Sequence, residues 1–209
     1  MSYQSVEEAY ARCNKDGIEF WKAIQLEDMD ENGITEEDSW KRMKGMWQAM
    51  LTGIDAYEPD EVSGSGLVGK EGGLMEAYQK KGDTLCGDYM AKVMTNALKM
   101  GCNNACMKRI VAAPTAGACG VLPAVLVTYY REYGIPEEKM IEAMYVAAGI
   151  GQIIANRAYL AGASGGCQAG DRFGSGMAAA AICYIKGGTM EQLGTCLCYG
   201  VKESDGPGM

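Results

Sequence analysis

The uncharged stretch Ala143-Met-Tyr-Val-Ala-Ala-Gly-Ile-Gly-Gln-Ile-Ile-Ala-Asn156 decides the fold class of this chain of 209 residues. It follows Pro136-Glu137-Glu138, and a proline followed by acidic residues is typical of a helix start. The sequence therefore predicts one long helix over residues 136–160. Because this helix is apolar on all sides, we expect it to be buried at the centre of the protein.

Helical patterns extend to both sides of this stretch. Apolar residues recur near helical spacing over residues 6–24, and the acidic residues 28–33 are predicted to interrupt that pattern. Thr35 is a predicted N-cap, followed by acids in the first turn of a helix that ends near Ile54. The apolar stripe of that helix comprises Trp40, Met43, Met46, Trp47, Met50 and Leu51. Further helices are predicted over residues 74–80, 87–100, 177–185 and 190–199. No alternation typical of strands stands out, so we predict an all-α protein.

Composition and charge exclude several classes of function. A net charge of −8 argues against nucleic acid and anionic membranes as partners. The first residues do not show a basic segment followed by an apolar one, so no signal peptide is predicted. Residues 143–156 are too few, and too often interrupted by glycine, to span a bilayer. We expect a cytoplasmic protein with a single domain, in which residues 1–60 form a helical N-terminal part and residues 61–200 bear the site.

Nine cysteines and no histidine narrow the chemistry. In a reducing compartment the cysteines are expected to be free thiols, most of them buried like small apolar residues. The lack of histidine excludes a Ser–His dyad and most zinc sites, and neither Cys102/Cys106 nor Cys196/Cys198 is a CxxC pair. Cys167 differs from the other cysteines because it lies between two glycines and a glutamine. A thiolate in such a segment is better suited to bind a metal than to pack in a core.

Two turns rich in small residues lie between the predicted buried helices. Pro114-Thr-Ala-Gly-Ala-Cys-Gly120 and Ala163-Ser-Gly-Gly-Cys-Gln168 each combine glycines with a hydroxyl or a thiol. Backbone N–H groups in such turns and at helix N-termini bind anions such as carboxylates. The alternative is close packing of helices through small residues. The glycine-rich residues 63–73 favour a flexible turn or a loop beside the substrate, because they lack the Gly-Lys-Ser/Thr pattern of a phosphate loop.

Two longer motifs built on these turns closely resemble the alpha chain of the iron–sulfur-dependent L-serine dehydratases. They are Arg109-Ile-Val-Ala-Ala-Pro-Thr-Ala-Gly-Ala-Cys-Gly-Val-Leu-Pro123 and Gly162-Ala-Ser-Gly-Gly-Cys-Gln-Ala169. Ser63-Gly-Ser-Gly-Leu-Val-Gly69 resembles the same family, and the resemblance runs over most of the chain. Both long motifs are specific, so we expect the chain to be a member of this family.

The resemblance implies a [4Fe–4S] cluster held by cysteines, one of them Cys167. One open iron would take the hydroxyl of L-serine and act as a Lewis acid, while a base removes the α-proton. Aminoacrylate would then leave and hydrolyse to pyruvate and ammonia. Cys119 occupies a small-residue position of its motif and is not expected to be a ligand. The residues expected to bind the substrate are Thr115, Ala116, Gly117, Ala118, Gly120, Gly165, Gly166 and Gln168.

Three cations lie near these motifs, and their expected role is electrostatic. Lys70, Lys108 and Arg109 would pair with the substrate carboxylate or with the cluster; the alternative for each is a solvated charge at a helix end. No residue is assigned as the base. The β portion of the family carries a histidine-containing motif that is absent here, so a separate β chain is the expected partner.

The chain departs from the family pattern at two places. After Ala169 the family continues with Glu-Ile/Val-Gly-Ser, whereas this chain has Gly170-Asp-Arg-Phe-Gly174 and rejoins the pattern at Met177. After Lys202 the family supplies further cluster cysteines, whereas this chain has Glu-Ser-Asp-Gly-Pro-Gly-Met209. One inserted G in family-like codons reproduces the observed residues at each place, so we interpret both as reading-frame slips, with residues 203–209 out of frame. One remaining cluster thiolate would leave the chain defective as a dehydratase.

Two other functions stay open at this point. An L-cysteine desulfidase of related sequence is the enzymatic rival, since an open iron can take a thiol as readily as a hydroxyl. A helical remnant or assembly subunit without catalytic activity would only pack against a β chain. Ammonia release from serine and from cysteine separates the two enzymes, and the colour of a reconstituted cluster separates both from the assembly subunit.

Overall fold

A computed structural model describes residues 3, 5–157 and 167–195, apart from the side chains of residues 157 and 167–169. All regular secondary structure in these residues is helical, which confirms the predicted fold class there. The helices are α1 (Val6–Asp16), α2 (Phe20–Asn32), α3 (Glu36–Asp55), α4 (Glu71–Gln79), α5 (Gly87–Ala105), α6 (Val121–Tyr133), α7 (Glu137–Arg157) and α8 (Cys167–Ile185). A short helical segment follows at residues 190–195.

The chain divides into two compact units. Unit 1 is formed from Met1–Trp47 and Pro136–Met209, and unit 2 is formed from Gln48–Ile135. The division falls within α3, between Trp47 and Gln48. No helix in the described ranges is long and apolar enough to cross a membrane.

The N-terminal helices end at glycines rather than at the acidic residues. The pattern over residues 6–24 is two helices, because Gly17 (φ 66°) ends α1 and its N–H donates to the Cys13 carbonyl. The predicted interruption at residues 28–33 is wrong, since α2 continues to Asn32 and ends at Gly33 (φ 61°). Both glycines adopt the left-handed conformation that satisfies the last carbonyls of a helix.

Helix α3 begins and ends where the sequence predicts. The Asp38 N–H donates to the Thr35 hydroxyl at 3.2 Å, which confirms the N-cap. Trp47 and Met50 of the predicted stripe are fully buried, whereas Met46 is 43% exposed. The prediction that Met46 belongs to the buried stripe is wrong, because 3.6 residues per turn place position 46 at the edge of the stripe.

Helix α7 is the buried central helix of unit 1, as predicted. Met140, Tyr145 and Ile150 are almost completely buried, and α7 packs against both α2 and α8. The close approach of α2 requires a glycine, because a Cβ atom on Gly149 would lie 3.0 Å from the Phe20 ring. The predicted last residues of this helix, 158–160, lie outside the described residues.

Helix α8 begins ten residues before the predicted start at Met177, so that boundary is a correction. Residues 170–174 are helical despite their two glycines, which disfavour a helix by about 1 kcal/mol each. Packing overrides this preference, since Phe173, Met177 and Ala180 are buried in unit 1.

Unit 2 is built on α5, which packs against α4 and α6. Helices α4 and α5 are both longer than predicted: α4 begins at Glu71 and α5 ends at Ala105. Pro123 lies in the first turn of α6, where its missing N–H costs no helical hydrogen bond. The connection from α5 to α6 contains the turn at residues 114–120.

Candidate active site

The turn at residues 114–120 is a series of tight bends that leads into α6. The N–H of Ala118 donates to the Thr115 carbonyl at 3.2 Å, and that of Cys119 donates to the Ala116 carbonyl at 3.3 Å. Ala118 and Cys119 are buried, so the second half of the turn faces the interior. Gly120 is required by its neighbour, because a Cβ atom there would lie 2.8 Å from the Ala97 carbonyl oxygen.

The first half of the turn faces outwards and retains unused donors. Ala116 and Gly117 are exposed, and their N–H groups donate to no backbone carbonyl in the described part of the chain. Thr115 is half-buried. These groups precede the N-terminus of α6, where the helix dipole favours negative charge. The arrangement can therefore bind a carboxylate.

Helix α5 holds this turn through its last two turns. Asn104 Nδ2 donates to the Ala116 carbonyl at 3.0 Å. The Cys119 thiol donates to the Met100 carbonyl at 3.8 Å. Neither Asn104 nor Met100 was singled out from the sequence, because their contacts depend on how α5 packs.

The glycine-rich loop at residues 63–69 is closed on itself. Ser63 donates its N–H to the Val68 carbonyl at 2.7 Å and accepts the Val68 N–H on its hydroxyl at 3.3 Å. The hydroxyls of Ser63 and Ser65 are 3.0 Å apart. Gly69 has φ 154° and a Cβ atom there would lie 2.7 Å from the Val62 Cα, so only glycine fits. The predicted flexible turn is thus a loop with its own hydrogen bonds.

Two side chains fasten this loop to α4. The Tyr57 hydroxyl donates to the Gly69 carbonyl at 2.8 Å and accepts the Gly73 N–H at 2.8 Å. Glu71 accepts the Gly69 N–H at 2.8 Å and the Cys102 thiol at 3.3 Å. Sequence analysis missed both Tyr57 and Glu71, although Glu71 at a helix start is a recognisable N-terminal signal.

The Glu71–Cys102 pair keeps its acid charged and its thiol neutral. The hydrogen bond from the Gly69 N–H is the first cause that lowers the pKa of Glu71. Burial, followed by the carboxylate beside it, raises the pKa of the Cys102 thiol. Cys102 is therefore protonated near neutral pH, which does not suit a metal-binding thiolate.

One helix organises both motifs, but through different faces. A Cβ atom on Gly72 would lie 2.9 Å from Lys99, and the Cys102 thiol donates to Glu71. Residues 99 and 102 of α5 therefore face the loop. Residues 97, 100 and 104 face the turn. At 100° per residue these two groups lie on roughly opposite sides of α5.

The three predicted cations differ in what they contact. Lys108 Nζ lies 2.9 Å from the Ala56 carbonyl and 2.5 Å from Glu61 Oε2, and this hydrogen bond raises the pKa of Lys108. Its charge is therefore already compensated. Lys70 and Arg109 are exposed, and neither forms an ion pair with a described residue.

The second turn contributes only its end to the described structure. Gly165 and Gly166 lie outside the described residues. Cys167 and Gln168 are the first residues of α8, and only their backbone is described. That this turn and residues 114–120 form one site stays a prediction.

The described cysteines do not form a set that fits a cluster. In the described ranges no group of three or more Cys, Asp or Glu side chains could hold a metal ion. Cys102 is hydrogen-bonded and buried, and Cys119 is fully buried against Met100. Cys86 is exposed and Cys106 is half-buried. A [4Fe–4S] cluster needs several thiolates, and the described residues do not bring three such groups together.

Comparison with known proteins identifies close relatives. The serine dehydratase alpha chain family matches residues 15–206. The L-serine dehydratase alpha chain of Peptoniphilus asaccharolyticus is 35% identical over 187 residues, which are 86% of this chain and 62% of that protein. The probable L-serine dehydratase alpha chain of Bacillus subtilis is 34% identical over 166 residues, 79% of this chain and 55% of that protein. L-serine dehydratase 1 of Escherichia coli is 29% identical over 197 residues, 91% of this chain and 43% of that protein.

Proposed function

This chain belongs to the serine dehydratase alpha chain family, and we propose that it takes part in the conversion of L-serine to pyruvate and ammonia. The chain spans 62% or less of the length of the relatives described above, so the activity of a whole dehydratase is a proposal for it. The observation that supports the proposal is the outward-facing half of the turn at residues 114–120.

The turn is suited to the carboxylate of L-serine. Thr115, Ala116 and Gly117 are consecutive and at least partly exposed residues of the turn that leads into α6, and the N–H groups of Ala116 and Gly117 donate to no described backbone carbonyl. We propose that they hold the carboxylate and so fix the orientation of the Cα–H bond and the hydroxyl. Of the three predicted cations, we propose Arg109 as the one that adds charge at the turn, since Lys108 is paired with Glu61 and Lys70 adjoins the loop on the opposite side of α5. Three further residues, Gly165, Gly166 and Gln168, are also proposed to contact L-serine. Ala118 and Gly120 are proposed to position the turn.

The overall reaction is an elimination followed by hydrolysis. Loss of the α-proton and of the β-hydroxyl releases water and leaves aminoacrylate. Its imine tautomer takes up water and gives pyruvate and ammonia, so no oxidant or reductant is consumed. The residues of the turn bind the carboxylate and neither donate nor accept a proton in these steps.

We propose a [4Fe–4S] cluster as the cofactor, with Cys167 as one ligand. When bound, such a cluster supplies a Lewis acid for the leaving hydroxyl. Among the described residues no group of three or more Cys, Asp or Glu side chains could hold a metal ion. Two of the relatives are named alpha chains, which supports a separate β chain as partner and as a source of the missing groups.

The carboxylate site is tested with Thr115→Val in the 209-residue chain. Loss of one hydrogen bond to a charged group should raise the Kd of L-serine by about tenfold to a hundredfold, since such bonds contribute about 1.5–3 kcal/mol. Isothermal titration calorimetry measures the Kd. Thr52→Val is the matched control, because the Thr52 hydroxyl donates to the Gln48 and Ala49 carbonyls of its own helix, α3.

Equal affinity in Thr115→Val and in the unmodified chain would contradict the proposed carboxylate site. Pyruvate formation is measured separately after anaerobic reconstitution together with a β chain. Ammonia released from L-cysteine but not from L-serine would favour a desulfidase. Intact binding of L-serine with no product from either amino acid would favour a subunit without catalytic activity.

A further inference from the structure

Three sulfur-containing side chains lie at the start of α5 in unit 2. Cys86 directly precedes the helix, and Met90 and Met94 follow at intervals of four residues, which makes successive members neighbours on one side of a helix. All three are exposed, Met90 to 47% and Met94 to 44%. The dehydratase proposal makes no use of these three residues, which we call the sulfur face.

Two members of the sulfur face are already in contact. The Cys86 thiol donates to the Met94 Sδ at 3.9 Å. Two of three sulfur ligands arranged evenly around one metal ion, at bond lengths of about 2.3 Å, lie about 4 Å apart. The separation of these sulfur atoms therefore suits two ligands of a single metal ion.

The position of Cys86 also suits a metal ligand. Its side chain makes no capping hydrogen bond at the N-terminus of α5, so the sulfur is not committed to that role. The helix N-terminus favours negative charge and would stabilise a metal-bound thiolate. Side chains of a helix lean towards its N-terminus, which is the direction in which Cys86 lies from both Met90 and Met94.

The ligand types of the sulfur face favour a soft metal ion. Asp88 is the acid in the first turn of α5, and both of its oxygens are in use: Oδ2 lies 2.8 Å from Lys92 Nζ, and Oδ1 accepts from Gln79 Nε2 at 3.1 Å. The sulfur face thus offers one thiolate and two thioethers, which select Cu(I), whereas Mg, Ca and Mn prefer oxygen ligands. Because two of its members are thioethers, it is not a group of Cys, Asp or Glu side chains such as those ruled out above.

We propose that the sulfur face binds one Cu(I) ion, with Cys86 as a thiolate ligand and Met90 and Met94 as thioether ligands. On binding, the S–H bond of Cys86 breaks, its proton goes to the solvent, and a bond between sulfur and copper forms. Copper stays monovalent, so no oxidant or reductant is consumed.

The test follows the methionine methyl groups by NMR in the 209-residue chain labelled with methyl-carbon-13 methionine. Cu(I) is added anaerobically, at free concentrations set by a competing chelator. We expect the methyl resonances of Met90 and Met94, assigned with Met90→Leu and Met94→Leu, to shift together with one midpoint. Met46 is the internal control, since this methionine of α3 has a matched exposure of 43% and should not shift with that midpoint.

Cys86→Ser distinguishes a metal site from a packing contact. Its midpoint should be more than about tenfold higher, because even outer-shell partners of metal sites typically contribute 10–100-fold. Met94→Leu should raise the midpoint of the Met90 resonance in the same way. Cys106→Ser is the control and should leave the midpoint unchanged, because Cys106 lies at the other end of α5.

The variants are chosen so that the chain still folds. Serine is a good N-cap residue, leucine conserves the volume of methionine, and all three positions are exposed. Circular dichroism melting checks that they fold. Zn(II) is the comparison metal, since it takes thiolate, imidazole and carboxylate ligands, and it should not reproduce the midpoint of Cu(I).

Three results would overturn the proposal: Met90 or Met94 resonances that do not shift with Cu(I), an unchanged midpoint in Cys86→Ser, or the same midpoint with Zn(II). None of these variants lies in the turn at residues 114–120, and Cu(I) is neither the substrate nor the cofactor proposed for the dehydratase. Failure of this proposal is therefore distinguishable from failure of the dehydratase proposal.

Discussion

Two glutamates of this chain have opposite electrostatic situations. Glu71 is stabilised as a carboxylate by the Gly69 N–H, whereas Glu27 is buried with no donor on either oxygen. Hydrogen bonding favours the charged form of an acid and burial disfavours it. The two residues should therefore contribute to stability with opposite dependence on pH.

The sign follows from the direction of each pKa shift relative to the ordinary value of 4.5. The pKa of Glu71 is lowered, so its contribution is present above pH 4.5 and is lost as the pH falls below it. The pKa of Glu27 is raised, so its contribution is present below pH 4.5 and is lost as the pH rises through the folded-state value.

We therefore expect opposite effects from Glu27→Gln and Glu71→Gln. Between acidic and neutral pH, Glu27→Gln should gain stability relative to the unmodified chain, and Glu71→Gln should lose it. Urea unfolding at a series of pH values from below 4.5 to neutral measures the free energy of unfolding. A difference that stays constant with pH for both variants would contradict this interpretation.

At the scale of elements, the contact between α5 and the turn before α6 determines where the candidate carboxylate site lies. Gly120 allows this contact, since a Cβ atom there would lie 2.8 Å from the Ala97 carbonyl oxygen. Backbone atoms on both sides cannot move aside as a flexible side chain would. The position of Ala116 and Gly117 therefore depends on the absence of a side chain at Gly120.

Gly120→Ala tests this contact. Overpacking against backbone should lower the free energy of unfolding by about 1–3 kcal/mol and weaken L-serine binding. Gly101→Ala is the matched control in α5, because nothing lies within 4 Å of its Cβ position. That change should raise the free energy of unfolding by about 0.5–1 kcal/mol, since alanine is the better helix former.

Urea unfolding of both glycine variants checks the prediction. If Gly120→Ala proved as stable as Gly101→Ala and bound L-serine normally, the turn would not depend on this close approach. The same comparison separates the loss of stability caused by tight packing at Gly120 from the general effect on stability of replacing glycine by alanine.

At the scale of the whole molecule, the relation between cluster ligands and activity is the main question. Cys167 is the one proposed ligand, and the described residues contain no group of three or more Cys, Asp or Glu side chains that could hold a metal ion. We expect residues 1–209 by themselves, after anaerobic reconstitution, to show little absorbance near 400 nm and little pyruvate formation from L-serine. Robust activity without a β chain would contradict this.

Nucleotide sequencing across codons 169–177 and 202–209 tests the frame-slip hypothesis, which stays a prediction.

Residues 170–174 differ from the family pattern. They continue α8 without interruption, and Phe173 is only 8% exposed. A frame slip there would thus have placed an aromatic side chain in the interior of unit 1. Their family-like counterparts are not needed for the helix to form.

The sequence by itself determined the helices, because helical periodicity and capping are local. The run over residues 143–156 predicts a buried helix since every face of it is apolar, and Thr35 predicts a start since its hydroxyl needs only the N–H three residues on. The family motifs likewise rest on residues adjacent in the chain. Local signals were weakest where packing opposes them, as in the glycine-containing start of α8.

Only the tertiary structure decided which groups of the candidate site are available. Asn104, twelve residues away along the chain, donates to the Ala116 carbonyl of the turn, and whether Lys108 is free depends on Glu61. The burial of the Glu27 carboxylate likewise follows from the packing of α2 in unit 1. Such contacts join residues that no local pattern relates, which is why the sequence named the turn but not its supports.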